Sequence, residues 1–219
     1  MKPQKIKVKA APVPELLKIL QTEYADAQCS LTYKNPYELA VATILSAQCT
    51  DERVNKVTPA LFKKFPSTKE LAKASQTEVE KLVASTGFFR NKAKNLIGMA
   101  SDVEAKHSGK IPETMEELSN LPGIGRKTAN VVLGNAFGKP AGVVVDTHVK
   151  RLCFRLGLTK STDPTKIEFE LNEMIPSQYW TELPHWLIQH GRKICTARSA
   201  QCKICPLAQI CPQKGVKKL

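Results

Sequence analysis

The chain has 219 residues, 42% of them hydrophobic, enough to bury one large core or two modest ones. Its 33 Lys and Arg against 20 Asp and Glu leave a formal charge of +13, which points to a polyanionic partner, nucleic acid above all. No apolar run approaches the ~18 residues of a membrane span, and the basic start MKPQKIKVKA lacks the apolar stretch of a secretory signal. The expectation is a cytoplasmic protein without a membrane partner, nucleoid-associated if prokaryotic. Residues 1–10 carry four lysines and no acid and read as a basic arm. A first helix is expected over Pro14 to Tyr24, with Leu16, Leu17 and Leu20 on one side. Asn35-Pro36 is a helix start, an N-cap followed by Pro at the first helical position. The segment behind it, YELAVATILSAQC, is apolar nearly all round and predicts a central buried helix. Thr50, Asp51 and Glu52 open another helix, with Val54, Val57, Leu61 and Phe62 facing the core and Pro66 closing it. Shorter helical patterns follow around Leu71 and around Val79, Leu82 and Val83. After the break at Thr86-Gly87-Phe88-Phe89-Arg90 comes a helix with Ala93, Leu96, Ile97, Ala100 and Val103 at core spacing.

The stretch LPGIGRKTANVVL, Leu121 to Leu133, carries the densest signal. Pro122, Gly123 and Gly125 make a tight turn. Met115 and Leu118 mark a short helix before it. Ala129, Val132, Leu133 and Phe137 mark the buried stripe of a longer helix after it. A glycine-rich hairpin that opens a helix N-terminus is suited to hold a phosphate, and Arg126 and Lys127 add two cations beside it. Lys127 falls on the face opposite the stripe, and a neutral lysine amine is a nucleophile able to form a Schiff base with a sugar aldehyde. Alone, the GxG pattern fits a plain structural turn equally well.

Beyond the hairpin, Val143 to Val145 is too short to demand a sheet. Asp146 follows, 19 residues after Lys127, as the N-cap of the next helix. A carboxylate there could also accept a proton or stabilise developing positive charge. His148, two residues on, fits a packed, solvated or backbone-contacting role. Helices resume around Leu152 and Leu156, around Ile167 and Leu171, and around Trp186, Leu187 and His190. No alternating period-two segment of useful length occurs, so the predicted fold is all-α with a cysteine-rich tail.

Of seven cysteines, Cys29, Cys49 and Cys153 are scattered and read as reduced thiols. Cys195, Cys202, Cys205 and Cys211 fall within 17 residues, with spacings of six, two and five between them. Four thiolates so crowded are a ligand set, for a tetrahedral zinc or for a 4Fe–4S cluster. Only one pair is CxxC and the outer spacings are unequal, which weighs toward the cluster.

Taken in order, LSAQCTD, GFFRNKA, LPGIGRKTA, VDTHV and the x6/x2/x5 cysteine tail closely resemble the endonuclease III family of DNA repair glycosylases, within the helix-hairpin-helix superfamily. The resemblance runs from about Asn35 to Cys211. It implies two helical lobes around a DNA-binding groove. One is a six-helix barrel over residues 29–140, containing the helix-hairpin-helix at about 115–137. The other comprises residues 1–28 plus 141–219 and carries an iron–sulfur loop at 195–211. It implies a 4Fe–4S cofactor on the four cysteines, Lys127 as nucleophile and Asp146 as catalytic carboxylate. It also implies Gln48 filling the gap left by an extruded base, Phe88 as an apolar wedge, and Gly123 and Gly125 facing phosphate. Arg126 and His148 are the remaining DNA-contact candidates. The implied partner is duplex DNA with damaged pyrimidines or abasic sites, bound by a monomer.

The implied chemistry is base-excision repair. A damaged nucleotide must leave the stack before it can react. Lys127 then attacks the sugar C1′ and displaces the base, leaving an imine. The imine acidifies the C2′ proton, and β-elimination cuts the strand on the 3′ side. Expected substrates are oxidised or ring-saturated pyrimidines such as thymine glycol. Two rivals remain: an adenine-mismatch glycosylase, which lacks the hairpin lysine and carries a further domain, and a noncatalytic helix-hairpin-helix DNA-binding protein, which the Lys127/Asp146 pair disfavours.

Overall fold

The computed structural model describes residues 9–216, so the basic arm expected over residues 1–10 lies almost wholly outside the described residues. The protein is all-helical as expected. The described residues contain no strand, only an isolated bridge between Cys195 and Ala200 in the cysteine tail. The chain divides into two compact units: Cys29–Ala141, and the residues up to Gln28 together with those from Gly142 onward. Each unit has its own apolar core.

The first helix of the chain, α1 (Val13–Glu23), belongs to the discontinuous unit and buries Leu16, Leu17 and Leu20. The continuous unit is built on α2 (Pro36–Ser46), the helix that the sequence marks as apolar all round. Its start is fixed by Asn35, whose Oδ1 accepts from the Glu38 amide at 2.9 Å, and by Pro36, whose missing N–H costs nothing in a first turn. Tyr37 and every residue from Leu39 to Leu45 are buried. Burying a Leu or Ile side chain stabilises by roughly 1.5–3 kcal/mol, which makes α2 the axis of this core.

Around it lie α3 (Asp51–Lys64), α4 (Thr68–Ala72), α5 (Gln76–Val83) and α6 (Phe89–His107), with a short 3-10 turn, Ala84–Thr86, between the last two. The helices α3, α4 and α5 start on Thr50, Ser67 and Ser75, each of whose side chains accepts an orphan first-turn amide. The hairpin helices α7 (Met115–Ser119) and α8 (Arg126–Phe137) complete the unit. Leu118, Leu121, Ile124, Ala129, Val132 and Leu133 set them into the same core.

The discontinuous unit adds α9 (Thr147–Leu156), α10 (Pro164–Met174) and α11 (Glu182–Lys193), followed by the cysteine tail. α9 and α11 cross closely at Gly191. A Cβ at that position would fall 2.8 Å from Arg151 Nη2 and 2.9 Å from His148 Nδ1, so only glycine fits between them.

Candidate active site and cysteine centre

The hairpin between α7 and α8 contains two glycines with different reasons to be glycine. Gly123 has φ +79°, and an added Cβ would lie 2.9 Å from the Cβ of Asn95, so the turn itself demands it. Gly125, the N-cap of α8, has an ordinary φ of −90° and nothing within 4 Å of where its Cβ would stand. The fold places no demand there, and the space in front of Gly125 is open to an incoming group. Gly125 caps α8 without a side chain, and a helix N-terminus is a place where an anion can bind. Lys127 is exposed in that first turn, on the side away from buried Ala129, Val132 and Leu133. Arg126 is half-buried beside it.

Two other sequence candidates share an unusual backbone. Gln48 (φ 53°) and Phe88 (φ 48°) are two of the four non-glycine residues with positive φ among the described residues. Gln48 is exposed just beyond α2. Phe88 is the N-cap of α6 and 64% exposed, so its ring lies outside the core. Sequence reasoning passed over the residue next to them. Lys92, 4% exposed, donates from Nζ to the carbonyls of Leu45 and Thr86, each at 2.8 Å. Its signal was a charge inside the apolar stripe of α6, between Phe89 and Ala93, Leu96 and Met99.

In the discontinuous unit, Asp146 caps α9 as expected, its Oδ1 accepting from the Val149 amide at 2.8 Å. His148 is half-buried, with Nδ1 3.2 Å from Arg151 Nη2. Burial pushes the His148 imidazole below its ordinary range, while the Asp146 carboxylate pulls the other way. Arg151 also donates to the carbonyls of Gly191 and Cys195, so the helix that Asp146 opens is tied to the start of the cysteine tail.

The four tail cysteines are free of disulfides and line one cavity with Leu152, Arg155, Leu156, His190 and Leu207. Among the described residues no three Cys, His, Asp or Glu form a tight group able to hold a lone metal ion. The sulfurs stand instead around the cavity wall, close enough to act on one another electrostatically. Burial first, then the charges of Cys195, Cys211 and Cys202, push the Cys205 thiol up to about 11. Two donors are aimed at sulfur, Arg155 Nη1 at Cys195 (3.1 Å) and the Gln213 amide at Cys211 (3.4 Å), and His190 Nε2 lies 3.6 Å from the Cys205 sulfur. Buried Arg155 further binds the carbonyls of Cys195, Thr196 and Ala197, wrapping the first turn of the tail. Sequence reasoning placed Arg155 only within a helix. No spacing rule marks an arginine that comes to the cysteines from 40 residues upstream. Apolar walls and the Arg155 guanidinium, without a carboxylate, suit a group whose ligands are thiolates.

A glycine hairpin that opens a helix beside an exposed lysine, on an all-helical frame with a four-cysteine tail, is the architecture of a helix-hairpin-helix repair protein. Residues 41–177 match the model of the HhH-GPD superfamily of base excision DNA repair proteins. The chain is 56% identical to endonuclease III of Synechocystis over 198 residues, covering 90% of each chain. It is 41% identical to endonuclease III of Bacillus subtilis over 196 residues, covering 89% of each. Among solved structures it superposes on an endonuclease III in a non-covalent DNA complex with a TM-score of 0.85 and 42% identity, covering 91% of this chain and 93% of that one. A trapped endonuclease III–DNA covalent intermediate matches with the same TM-score and coverage at 41% identity. The chain belongs to the endonuclease III family, and it is a DNA glycosylase and lyase of base excision repair.

Proposed function

We propose that this protein releases oxidised or ring-saturated pyrimidines from duplex DNA and cuts 3′ to the resulting abasic site through an imine on Lys127. The observation that carries the reading is the exposed Lys127 amine in the first turn of α8, beside a glycine with open space in front of it. The relative trapped as a covalent DNA intermediate supports it.

DNA phosphate meets the N-terminus of α8, and the absent Cβ of Gly125 lets it approach. Once the damaged nucleotide leaves the stack, the Lys127 amine forms a bond to C1′ as the base departs with the electron pair of the glycosidic bond. Asp146 accepts the proton the amine loses and stabilises positive charge on the sugar. The C1′–O4′ bond then opens as O4′ takes up a proton, which gives the imine; loss of the C2′ proton expels the 3′ phosphate, and hydrolysis of the imine returns the lysine. Gln48 occupies the place of the extruded base and Phe88 wedges the opposite strand. Arg126 and His148 add contacts to the backbone. The enzyme acts in the cytoplasm, with the nucleoid if the cell is prokaryotic.

Cys195, Cys202, Cys205 and Cys211 would hold a 4Fe–4S cluster, whose contribution when bound is to pin a tail that has little regular structure of its own. Arg155 and His190 hold the tail beside the ligands. With the Cys205 sulfur ligated as thiolate, His190 Nε2 donates to it.

Borohydride reduction with a thymine-glycol duplex tests the central step. A covalent protein–DNA adduct is expected from the wild type, and Lys127→Gln should lose it while still binding DNA. Wild-type protein that cuts normally without an adduct refutes the imine. A brown preparation with about four irons per chain is expected; a folded, colourless zinc protein refutes the cluster.

A further inference from the structure

Lys92 occupies a costly position. It is 4% exposed, both of its Nζ hydrogen bonds go to neutral carbonyls, and burial pushes its ammonium below the ordinary range. Removing the ammonium would leave the Leu45 and Thr86 carbonyls without this donor, so general apolar packing does not account for a charge there. The identity of the two acceptors does. Leu45 lies three residues before Gln48, and Thr86 two before Phe88. Their carbonyl oxygens share one nitrogen at 2.8 Å each, so they stand no farther apart than twice that distance. The backbone amide of Lys92 also donates to the carbonyl of Phe88 at 3.1 Å. Gln48 and Phe88 both hold left-handed backbone without being glycine, a strain that persists only where neighbouring groups enforce it.

We infer that Lys92 is a positioning residue that locks the Gln48 and Phe88 loops into one rigid unit, so that gap-filler and wedge enter the duplex together. The inference rests on the proposed reading of those two side chains as the groups that open DNA. Lys92 itself touches no reacting atom. Its effect is confined to the step in which the duplex is parted.

Lys92→Met keeps the stem and removes the donors. Three quantities are read: fluorescence of 2-aminopurine placed beside the lesion, which reports opening; reaction on damaged duplex; and cutting at an abasic site in single-stranded DNA, which needs no opening. The duplex reaction and the fluorescence change should fall about 10- to 100-fold, the scale of an ångström-sized misplacement, while single-strand cutting stays near wild type. Equal loss on both substrates, or loss on neither, overturns the inference. If Lys92→Met does not fold, Lys92→Arg, which keeps donors on a wider fork, is read identically: duplex-selective loss supports the inference and equal loss overturns it. Gln48→Ala and Phe88→Ala run alongside. If both leave opening intact, the reading of the wedge pair fails. If they abolish opening and Lys92→Met does not, only the role of Lys92 fails.

Discussion

Tyr24 and His190 meet across 166 residues of sequence, the phenol oxygen 2.8 Å from Nδ1 and the rings edge-on at 5.7 Å. The contact binds α1 to α11, and the other nitrogen of the same imidazole faces Cys205. Burial pushes the Tyr24 phenol up to about 12, so it stays a neutral hydroxyl. Where Nε2 donates to a Cys205 thiolate of the proposed cluster, Nδ1 accepts from that hydroxyl. Tyr24→Phe should therefore cost roughly 1–3 kcal/mol, the penalty of a buried acceptor left unmade. It should also release iron faster on chelator challenge. Unchanged denaturation and iron loss would show that the bond contributes nothing.

The two hairpin glycines should separate in mutagenesis. Gly123→Ala forces a Cβ onto Asn95 at a positive φ, and a loss of at least about 1 kcal/mol in stability is expected. Gly125→Ser supplies a good N-cap in unoccupied space, so the melting temperature should hold or rise. DNA affinity should nevertheless drop, because the new side chain fills the approach of the phosphate. Affinity unchanged in Gly125→Ser would remove the phosphate from that spot.

Asp146 has a structural role and a proposed chemical one, and Asn divides them. Asparagine caps a helix as well as aspartate, so Asp146→Asn should melt within about 0.5 kcal/mol of wild type, whereas Asp146→Ala should lose about 1 kcal/mol. Base release should fall about 100-fold or more in both variants. An active Asp146→Asn would reduce the residue to its cap.

Stability should decline in mild acid. Burial holds the His185 imidazole below its ordinary 6.5, and His148 shifts in the same direction. The unfolded chain takes up protons at 6.5 that the folded chain refuses. The contribution is therefore complete above 6.5 and is lost as pH falls through that value toward the depressed folded pKa, by at most about 1.4 kcal/mol per pH unit per histidine. Urea denaturation of His185→Gln between pH 6.5 and about 5 should give a shallower slope than wild type. Equal slopes would assign the decline elsewhere.

The helical frame was readable wherever side-chain chemistry is local. Asn35-Pro36 and Thr50 announce helix starts, and α2 is buried for the reason its composition gives. The cysteine set was readable from spacing alone. What escaped depends on backbone state or on distant partners. Neither Gln48 nor Phe88 is a glycine, so nothing in the letters signals a left-handed residue. Gly123 and Gly125 look alike in sequence, yet one serves the turn and the other leaves a gap. Pro59 sits inside α3, where helix rules place a break. The grip of Arg155 on the tail and that of Lys92 on the Leu45 carbonyl join residues 40 or more positions apart.

The division of the chain into one continuous and one discontinuous unit has a consequence for its birth on the ribosome. Residues 29–141 can collapse around α2 as soon as they emerge, since every partner in that core is nearby in time as well as space. α1 is made first and waits longest. Leu16, Leu17 and Leu20 have no complete pocket until α11, some 160 residues later, arrives to meet Tyr24. A nascent chain stalled before His190 lacks the α11 part of that pocket, which makes α1 the helix a chaperone would hold longest.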